Sequence, residues 1–305
     1  MRSGSGRCRV NGAAPAAGTV APRGTRCTAP WWANVQAVAG RELRDALRSR
    51  WYLLYSLAFA ALGLGVSYIS AAGIGAAGVT GFARTSAGLV NLVILVVPLM
   101  SLTAGASSIA SDRERGMLAY LLAQPLTRLE LLLGKYVGLA LAIASSIATG
   151  FGLCAVVVAV RAGGTDAGSF LRLVGLAVVL ALVMLGLGLL ISVVARRASL
   201  ATGSAVFAWL ALVFLSDLGM MAGTLAWRLR IETLFGLALL NPCQVFKLAS
   251  LRVMGASLDV LGPVGLYADD EYGPLLPAIF TAVLSAWVVL PLIAAAAVFS
   301  RRSPT

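Results

Sequence analysis

Few side chains in this 305-residue sequence could carry out chemistry. It has no histidine, which excludes imidazole metal sites, Ser-His-Asp and Cys-His catalysis, and H-E-x-x-H peptidase chemistry. The four cysteines form no C-x-x-C pair, so neither a zinc site nor a disulfide framework is expected. Gly134-Lys135 lacks the rest of a nucleotide-binding P-loop, and G-x-S-x-G is absent. We therefore expect a non-catalytic chain that binds no cofactor.

Two weaker candidates remain. Met220, Met221 and Met254, with Cys243, offer the soft sulfur ligands that suit Cu(I), but they are separated in sequence and methionine is common in apolar helices. We predict no metal site and keep these four as weak candidates.

Asp217 lies inside an apolar run, and an acid within a membrane helix is a candidate functional residue. Its position near the outer end of that run allows the plainer interpretation that it reaches water or pairs with Arg228 or Arg230.

A charged block at residues 111–135 separates two very apolar runs. Ser111 with Glu114, and Thr127 with Glu130, have the spacing of helix-capping boxes, and Pro125 between them ends a helix. The block therefore predicts two helix starts in a short, stiff, bent segment, although a plain cytoplasmic loop is the alternative. The first helix would carry one apolar stripe, formed by Met117, Leu118, Leu121 and Leu122.

The composition identifies an integral membrane protein, because 59% of residues are hydrophobic and only 12% are charged, with a mean hydropathy of +0.91. Of the net charge of +12, five charges come from arginines in the first 30 residues, which contain no acid. The remaining +7 is scattered singly between apolar runs, which indicates membrane edges and not nucleic acid.

The chain divides into a tail, residues 1–33, rich in Gly, Ala, Pro and Arg and expected to be disordered, and a membrane domain at 34–302. That domain is predicted to be all-α. An amphipathic helix from Asn34 to Arg50 would lie along the inner leaflet or extend the first span. Six spans are predicted after it, at 51–72, 88–110, 131–160, 170–195, 199–226 and 275–300.

The positive-inside rule sets the expected topology. The segments at 41–50, 113–135, 196–197 and 301–302 concentrate positive charge on one side, which places both termini in the cytoplasm. The long outer loop, about 228–274, contains the break Asn241-Pro242 and then a possible apolar stripe. This stripe is expected to dock a partner or to lie flat on the outer leaflet.

Gly219 and Gly223 have the G-x-x-x-G spacing that lets membrane helices approach closely, as do Gly134 and Gly138. The first pair predicts either a contact between two copies of the chain or packing within one copy.

The charged block resembles that of the permeases of type-2 ABC exporters, over about residues 34–302. The residues that carry the resemblance are Glu114, Arg115, Gly116, Leu121, Leu122, Pro125, Arg128, Glu130, Gly134 and Lys135.

The resemblance implies a homodimer in the bacterial inner membrane, surrounded by lipid and bound to a separate cytoplasmic ATPase that holds ATP and Mg. The block, from Asp112 through Glu130 and including Arg115 and Arg128, would be the coupling helix between spans 2 and 3. Arg196 and Arg197 would make a second contact.

Within the class, the resemblance is closest to permeases that serve maturation of the copper site of nitrous-oxide reductase. There a periplasmic subunit would contact the outer segment, at Asn241, Pro242, Val245, Phe246, Leu248 and Leu251. The alternatives are a permease for a lipid, peptide or drug, and a membrane scaffold without transport.

Overall fold

The computed structural model describes most of the chain from Pro30 to Arg301, in the ranges 30–49, 54, 57, 60–61, 65, 78–123, 126–162, 167–225, 230–253 and 263–301. Residues 1–29 of the predicted tail (1–33), most of the predicted first span at 51–72, and Pro125, Arg228 and Met254 lie outside these residues.

Every regular element in the described residues is helical. The α-helices are α1 Trp31–Arg48, α2 Gly78–Glu114, α3 Met117–Ala123, α4 Arg128–Ala162, α5 Ala167–Val194, α6 Ala198–Leu210, α7 Ser216–Leu225, α8 Ile231–Leu239, α9 Pro242–Val253, α10 Pro263–Tyr272 and α11 Leu276–Arg301. A π turn, Ala211–Leu215, joins α6 to α7, and a 3-10 turn, Gly273–Leu275, precedes α11.

Five helical segments of the described chain are long and apolar enough to cross a membrane, and they match the second to sixth predicted spans. They are Val90–Glu114, Arg128–Leu153, Gly168–Val194, Ala198–Gly223 and Gly273–Arg301. A sixth would be the pair α8 and α9, if this pair, bent by 103°, counts as one span. The all-helical membrane fold is therefore confirmed, while the first predicted span falls mostly outside the described residues.

Helix α5 is the centre of the bundle, in contact with α2, α4, α9 and α11. It is apolar on every face, and a helix of that kind is stable only when other helices or lipid surround it. Nine of its side chains are fully buried: Leu173, Ala177, Leu180, Val183, Met184, Leu185, Leu189, Ser192 and Val193.

Two glycines allow α2 and α5 to cross at very short distance. A Cβ atom added to Gly188 would lie 2.5 Å from the carbonyl oxygen of Leu102, and one added to Gly105 would lie 2.7 Å from that of Leu185. One turn further along, the buried hydroxyl of Ser192 accepts hydrogen bonds from the backbone N–H groups of Ile109 and Ala110, at 3.0 and 2.9 Å. The crossing therefore requires residues without a side chain at both positions.

The predicted amphipathic helix is present as α1, and it packs on α4 through a second pair of glycines. A Cβ atom at Gly134 would lie 2.6 Å from Cβ of Val38, and one at Gly138 would lie 2.6 Å from the carbonyl oxygen of Ala39. This pair therefore serves packing within one copy. Gly219, in contrast, has open space around it.

The α2–α5 crossing generates a stability prediction. Gly188→Ala should destabilise the protein by about 1–3 kcal/mol, because the added methyl group meets backbone and not a movable side chain. Gly175→Ala is the matched control on the same helix, where an added Cβ meets nothing within 4 Å. Thermal unfolding in detergent measures both variants, and equal melting temperatures would contradict the packing role.

Candidate functional site

The charged block begins differently from the prediction. Helix α2 continues through Ser111 to Glu114, and the hydroxyl of Ser111 donates to the carbonyl of Ser108 within the same helix at 3.4 Å. The predicted helix start at Ser111 is therefore wrong, because no residue before Gly116 interrupts the second span. Gly116 ends it by adopting a φ of +71°, a conformation that glycine reaches without strain.

The short helix α3 follows Gly116 and lies against the bundle. Leu118 and Leu121 are buried in the main core, whereas Met117 and Tyr120 are 38% and 64% exposed. Leu118 and Leu121 of the predicted apolar stripe therefore face the protein's own interior, whereas Met117 does not, and Leu122 lies in the same helix. The opposite face, with Tyr120, is the one free to meet a partner, and the sequence analysis missed it.

The second capping box is present as predicted. Glu130 accepts a hydrogen bond from the backbone N–H of Thr127 at 2.8 Å, and the Thr127 hydroxyl accepts one from the backbone N–H of Glu130 at 3.3 Å. The amide of Asn34 also donates to Glu130 at 3.3 Å, which joins α1 to the start of α4.

The end of α2 is attached to the turn between α5 and α6. Arg113 donates to the carbonyl of Ala195 at 2.6 Å, and Glu114 accepts from the backbone N–H of Ala198 at 3.3 Å. A cation thus meets the end of one helix and an anion the start of the next, as the helix dipoles favour. Glu114 therefore serves the start of α6 and not that of its own helix.

The remaining predicted contacts lie at the same end of the bundle. Arg196 and Arg197 are exposed on the α5–α6 turn. Arg128 donates to the carbonyls of Phe299 and Ser300 at the end of α11, at 3.0 and 3.1 Å. We call this region the charged end, defined by the segments 41–48, 112–117, 128–135, 195–198 and 299–301.

At its centre, Lys135 of α4 is almost fully buried between two carboxylates. Its Nζ lies 2.5 Å from Glu42 of α1 and 2.7 Å from Asp112 of α2, and its side chain is 2% exposed. Asp112, predicted to contact an ATPase, is thus directed inward. The sequence indicated this site only through a lysine next to an apolar run. Glu42 is 93 residues away from Lys135, and its pairing with this lysine was not predicted.

The far end of the bundle holds a second lysine–carboxylate contact. Asp217 of α7 lies 3.1 Å from Nζ of Lys247 in α9 and also accepts a hydrogen bond from Gln244. The Asp217 side chain is 50% exposed, which agrees with the interpretation that it reaches water. Its cationic partner is Lys247 and not Arg230, which lies 3.4 Å from Glu232, and Arg228 lies outside the described residues.

The outer segment is buried to an extent that the sequence did not predict. Helix α9 packs against α5 and α11, and all six predicted partner contacts, in α9 or directly before it, are buried: Asn241, Pro242, Val245, Phe246, Leu248 and Leu251. Their burial counts against direct contact with a partner. On this side α8 presents the exposed side chains of Ile231 and Leu237, and Leu240 directly after the helix is exposed as well.

Asn241 has a structural role at this corner. Its amide donates to the carbonyl of Leu212 in the π turn at 2.7 Å, and its side-chain oxygen accepts from the backbone N–H of Cys243 at 2.9 Å. Polar groups left by an irregular helix need such partners inside a bilayer.

Among the described sulfur candidates, Cys243 and Met221 lie in different surroundings. Cys243 is 3% exposed and packs in the main core, whereas Met221 is 60% exposed. In the part of the chain that the structure describes, no group of three or more His, Cys, Asp or Glu side chains could hold a metal ion.

The comparison with known proteins agrees with this architecture. The family of ABC-2 family transporter proteins matches residues 36–303, so the chain belongs to that family and is a permease of an ABC transporter. Two curated relatives are named "Probable ABC transporter permease protein NosY". The relative from Stutzerimonas stutzeri is 34% identical over 275 residues, which cover 88% of this chain and 99% of the relative. The relative from Pseudomonas aeruginosa is 34% identical over 278 residues, or 88% and 98% of the two chains. The resemblance inferred from the charged block is thus confirmed.

The Lys135 cluster generates the second prediction. Lys135→Met should destabilise the protein by about 3 kcal/mol, because it leaves two carboxylates at the bundle edge without a cation. Replacing all three residues (Lys135→Met, Glu42→Gln and Asp112→Asn) should restore much of the loss. Lys247→Met is the control, with a smaller expected loss of about 1 kcal/mol or less, because Asp217 is 50% exposed. Equal losses for both lysines in thermal unfolding would refute the special role of Lys135.

Proposed function

We propose that the chain is the membrane subunit of an ABC transporter that supports maturation of the copper site of nitrous-oxide reductase, with ATP hydrolysed by a separate cytoplasmic subunit. The support is similarity to the NosY permeases along nearly their whole length. This chain would contribute the membrane path and the mechanical coupling, and the partner would bind ATP and Mg.

The observation that carries the coupling role is the way α3 is attached. One face of α3 is buried through Leu118 and Leu121, and the other exposes Tyr120. Just before α3, Arg113 and Glu114 form hydrogen bonds with the α5–α6 turn. Just after α3, Arg128 donates a hydrogen bond to the end of α11. A force applied to α3 would therefore reach several spans at once.

The charged end is proposed to face the cytoplasm. It gathers the basic segments that the positive-inside rule assigns to that side, and they come from four separate parts of the chain. Because α1 and the end of α11 both lie there, the two termini would share the cytoplasmic side.

The chain is proposed to work as a homodimer. The fifth span, Ala198–Gly223, is only 17% buried within one copy, and its exposed side chains include Leu200, Phe207 and Leu218. The open space beside Gly219 would allow close approach of a second copy, with lipid covering the rest. A periplasmic subunit would meet the exposed face of α8.

Tyr120 provides the test of ATPase coupling. Tyr120→Ala should weaken retention of the ATPase by roughly 30-fold, the effect of a 2 kcal/mol interface residue. The measurement is the amount of ATPase that copurifies with a tagged chain from native membranes.

Leu171→Ala is the matched control, since Leu171 is 71% exposed but lies about 35 Å along α5 from the charged end. Equal ATPase recovery with Tyr120→Ala and with Leu171→Ala would rule out α3 as the docking element.

The same two positions test the orientation. In a chain with the native cysteines replaced by serine, Leu171→Cys should react with a membrane-impermeant maleimide in intact cells. Tyr120→Cys should react only after permeabilisation. The reverse pattern would overturn both the topology and the coupling role.

A further inference from the structure

A cavity of about 800 Å³ lies between α1 and α4 on one side and α2 and α6 on the other. This volume corresponds to roughly 25 water molecules at about 30 Å³ each, so the space is too large for a bound ion. None of the contacts described for the coupling role uses it. We call it the α2 slot, because residues from Leu99 to Met117 form its longest wall.

The slot extends along the membrane-spanning helix α2. Leu99 and Arg115 are 16 residues apart on α2 and its end, which is about 24 Å at 1.5 Å per residue. One leaflet of a bilayer, with its headgroups, is about 20–22 Å thick. The slot therefore has the length of one lipid molecule in the leaflet at the charged end.

The two ends of the slot differ in chemistry. The deep end is apolar, with Leu99, Met100, Ile143 and Val206 among its lining residues. The middle carries the hydroxyl groups of Thr103 and Ser107, both of which donate to carbonyls of their own helix. Their oxygen lone pairs remain available as acceptors.

The mouth carries charges of both signs in equal number. Three cations and three anions line it: Arg41, Arg115, Lys135, Glu42, Asp45 and Asp112. Lys135 is held by Glu42 and Asp112, whereas Asp45 pairs only at 3.7 Å with Arg41 on an exposed surface. Such a surface pair contributes little and is easily exchanged for other partners.

We propose that the α2 slot binds one zwitterionic phospholipid as a resident ligand. Arg41 and Arg115 would bind its phosphate, Asp45 its ammonium group, and the apolar end an acyl chain. A mouth with no net charge gives no preference for an anionic headgroup, while its separated cations and anions match a headgroup that carries both. The lipid would fill space between α1 and α2, which the Glu42–Lys135–Asp112 cluster connects at the mouth.

Native mass spectrometry of the full-length chain tests the proposal, with phosphatidylethanolamine and phosphatidylglycerol added in equal amounts. The wild-type chain should retain one phosphatidylethanolamine. Ala104→Phe, which fills the slot from α2, should reduce that retention at least fivefold. Ala148→Phe, on the exposed face of α4, should not change it.

A second pair of variants tests the same site if Ala104→Phe misfolds. Val206→Trp fills the slot from the opposite wall, and Phe207→Trp is its neighbour with a 73% exposed side chain. Retention should be lost with the first and kept with the second. Asp45→Asn should shift retention from phosphatidylethanolamine towards phosphatidylglycerol, because the mouth then carries a net positive charge.

Three results would overturn the proposal: no retained lipid in the wild-type chain, a preference of the wild type for phosphatidylglycerol, or equal retention in the filled and control variants. The outcome is independent of the ATPase, so failure here leaves the coupling role intact, and failure of coupling leaves the lipid site intact.

Discussion

The structure depends most on the need to neutralise one buried ammonium group. Lys135 lies in the second turn of α4 and is 2% exposed, in surroundings where an isolated charge would be strongly unfavourable. Glu42 and Asp112 supply the compensation, and they come from two other helices. Their approach is possible because Gly134 and Gly138, on either side of the lysine in sequence, bring α1 into backbone contact with α4. The sequence G-K-x-x-G thus combines a close helix contact with the charge that the contact encloses.

The sequence predicted local features well where the chemistry is local. The capping box of Thr127 and Glu130 formed because both partners belong to the same turn, and Arg128 begins α4 as that box implies. The box assigned to Ser111 and Glu114 failed because a capping pattern does not show whether a helix is already in progress. As predicted, Glu114 accepts a hydrogen bond from a backbone N–H at a helix start. That helix is α6, and the donor lies 84 residues further along the chain.

The sequence pattern did not predict pairings between residues that are far apart in the chain. Glu42 has the appearance of one polar residue on an amphipathic helix, and only the packing of α1 on α4 shows that it is directed at Lys135. Similarly, Asn241-Pro242 was interpreted as a break in an exposed loop. The break is real, but it forms the 103° corner between α8 and α9, and α9 is inserted into the bundle. An apolar stripe at helical spacing predicts that its residues are buried. It does not show whether a partner's surface or the chain's own core covers them.

A continuous series of contacts joins the two ends of the bundle along the fifth span. At the charged end, Glu114 holds the first residue of α6. The same span continues through the π turn to Asp217, where Lys247 and Asn241 attach it to α9 on the other side. The span between these attachments is only 17% buried within the chain, whereas the spans in α2 and α5, which it contacts, are 61% and 50% buried. A lightly packed span with a π turn deforms more readily than a helix packed on all sides. A displacement of α3 would therefore act on a span that is fixed at both ends and compliant between them, and α9 is the element to which its outer end is attached.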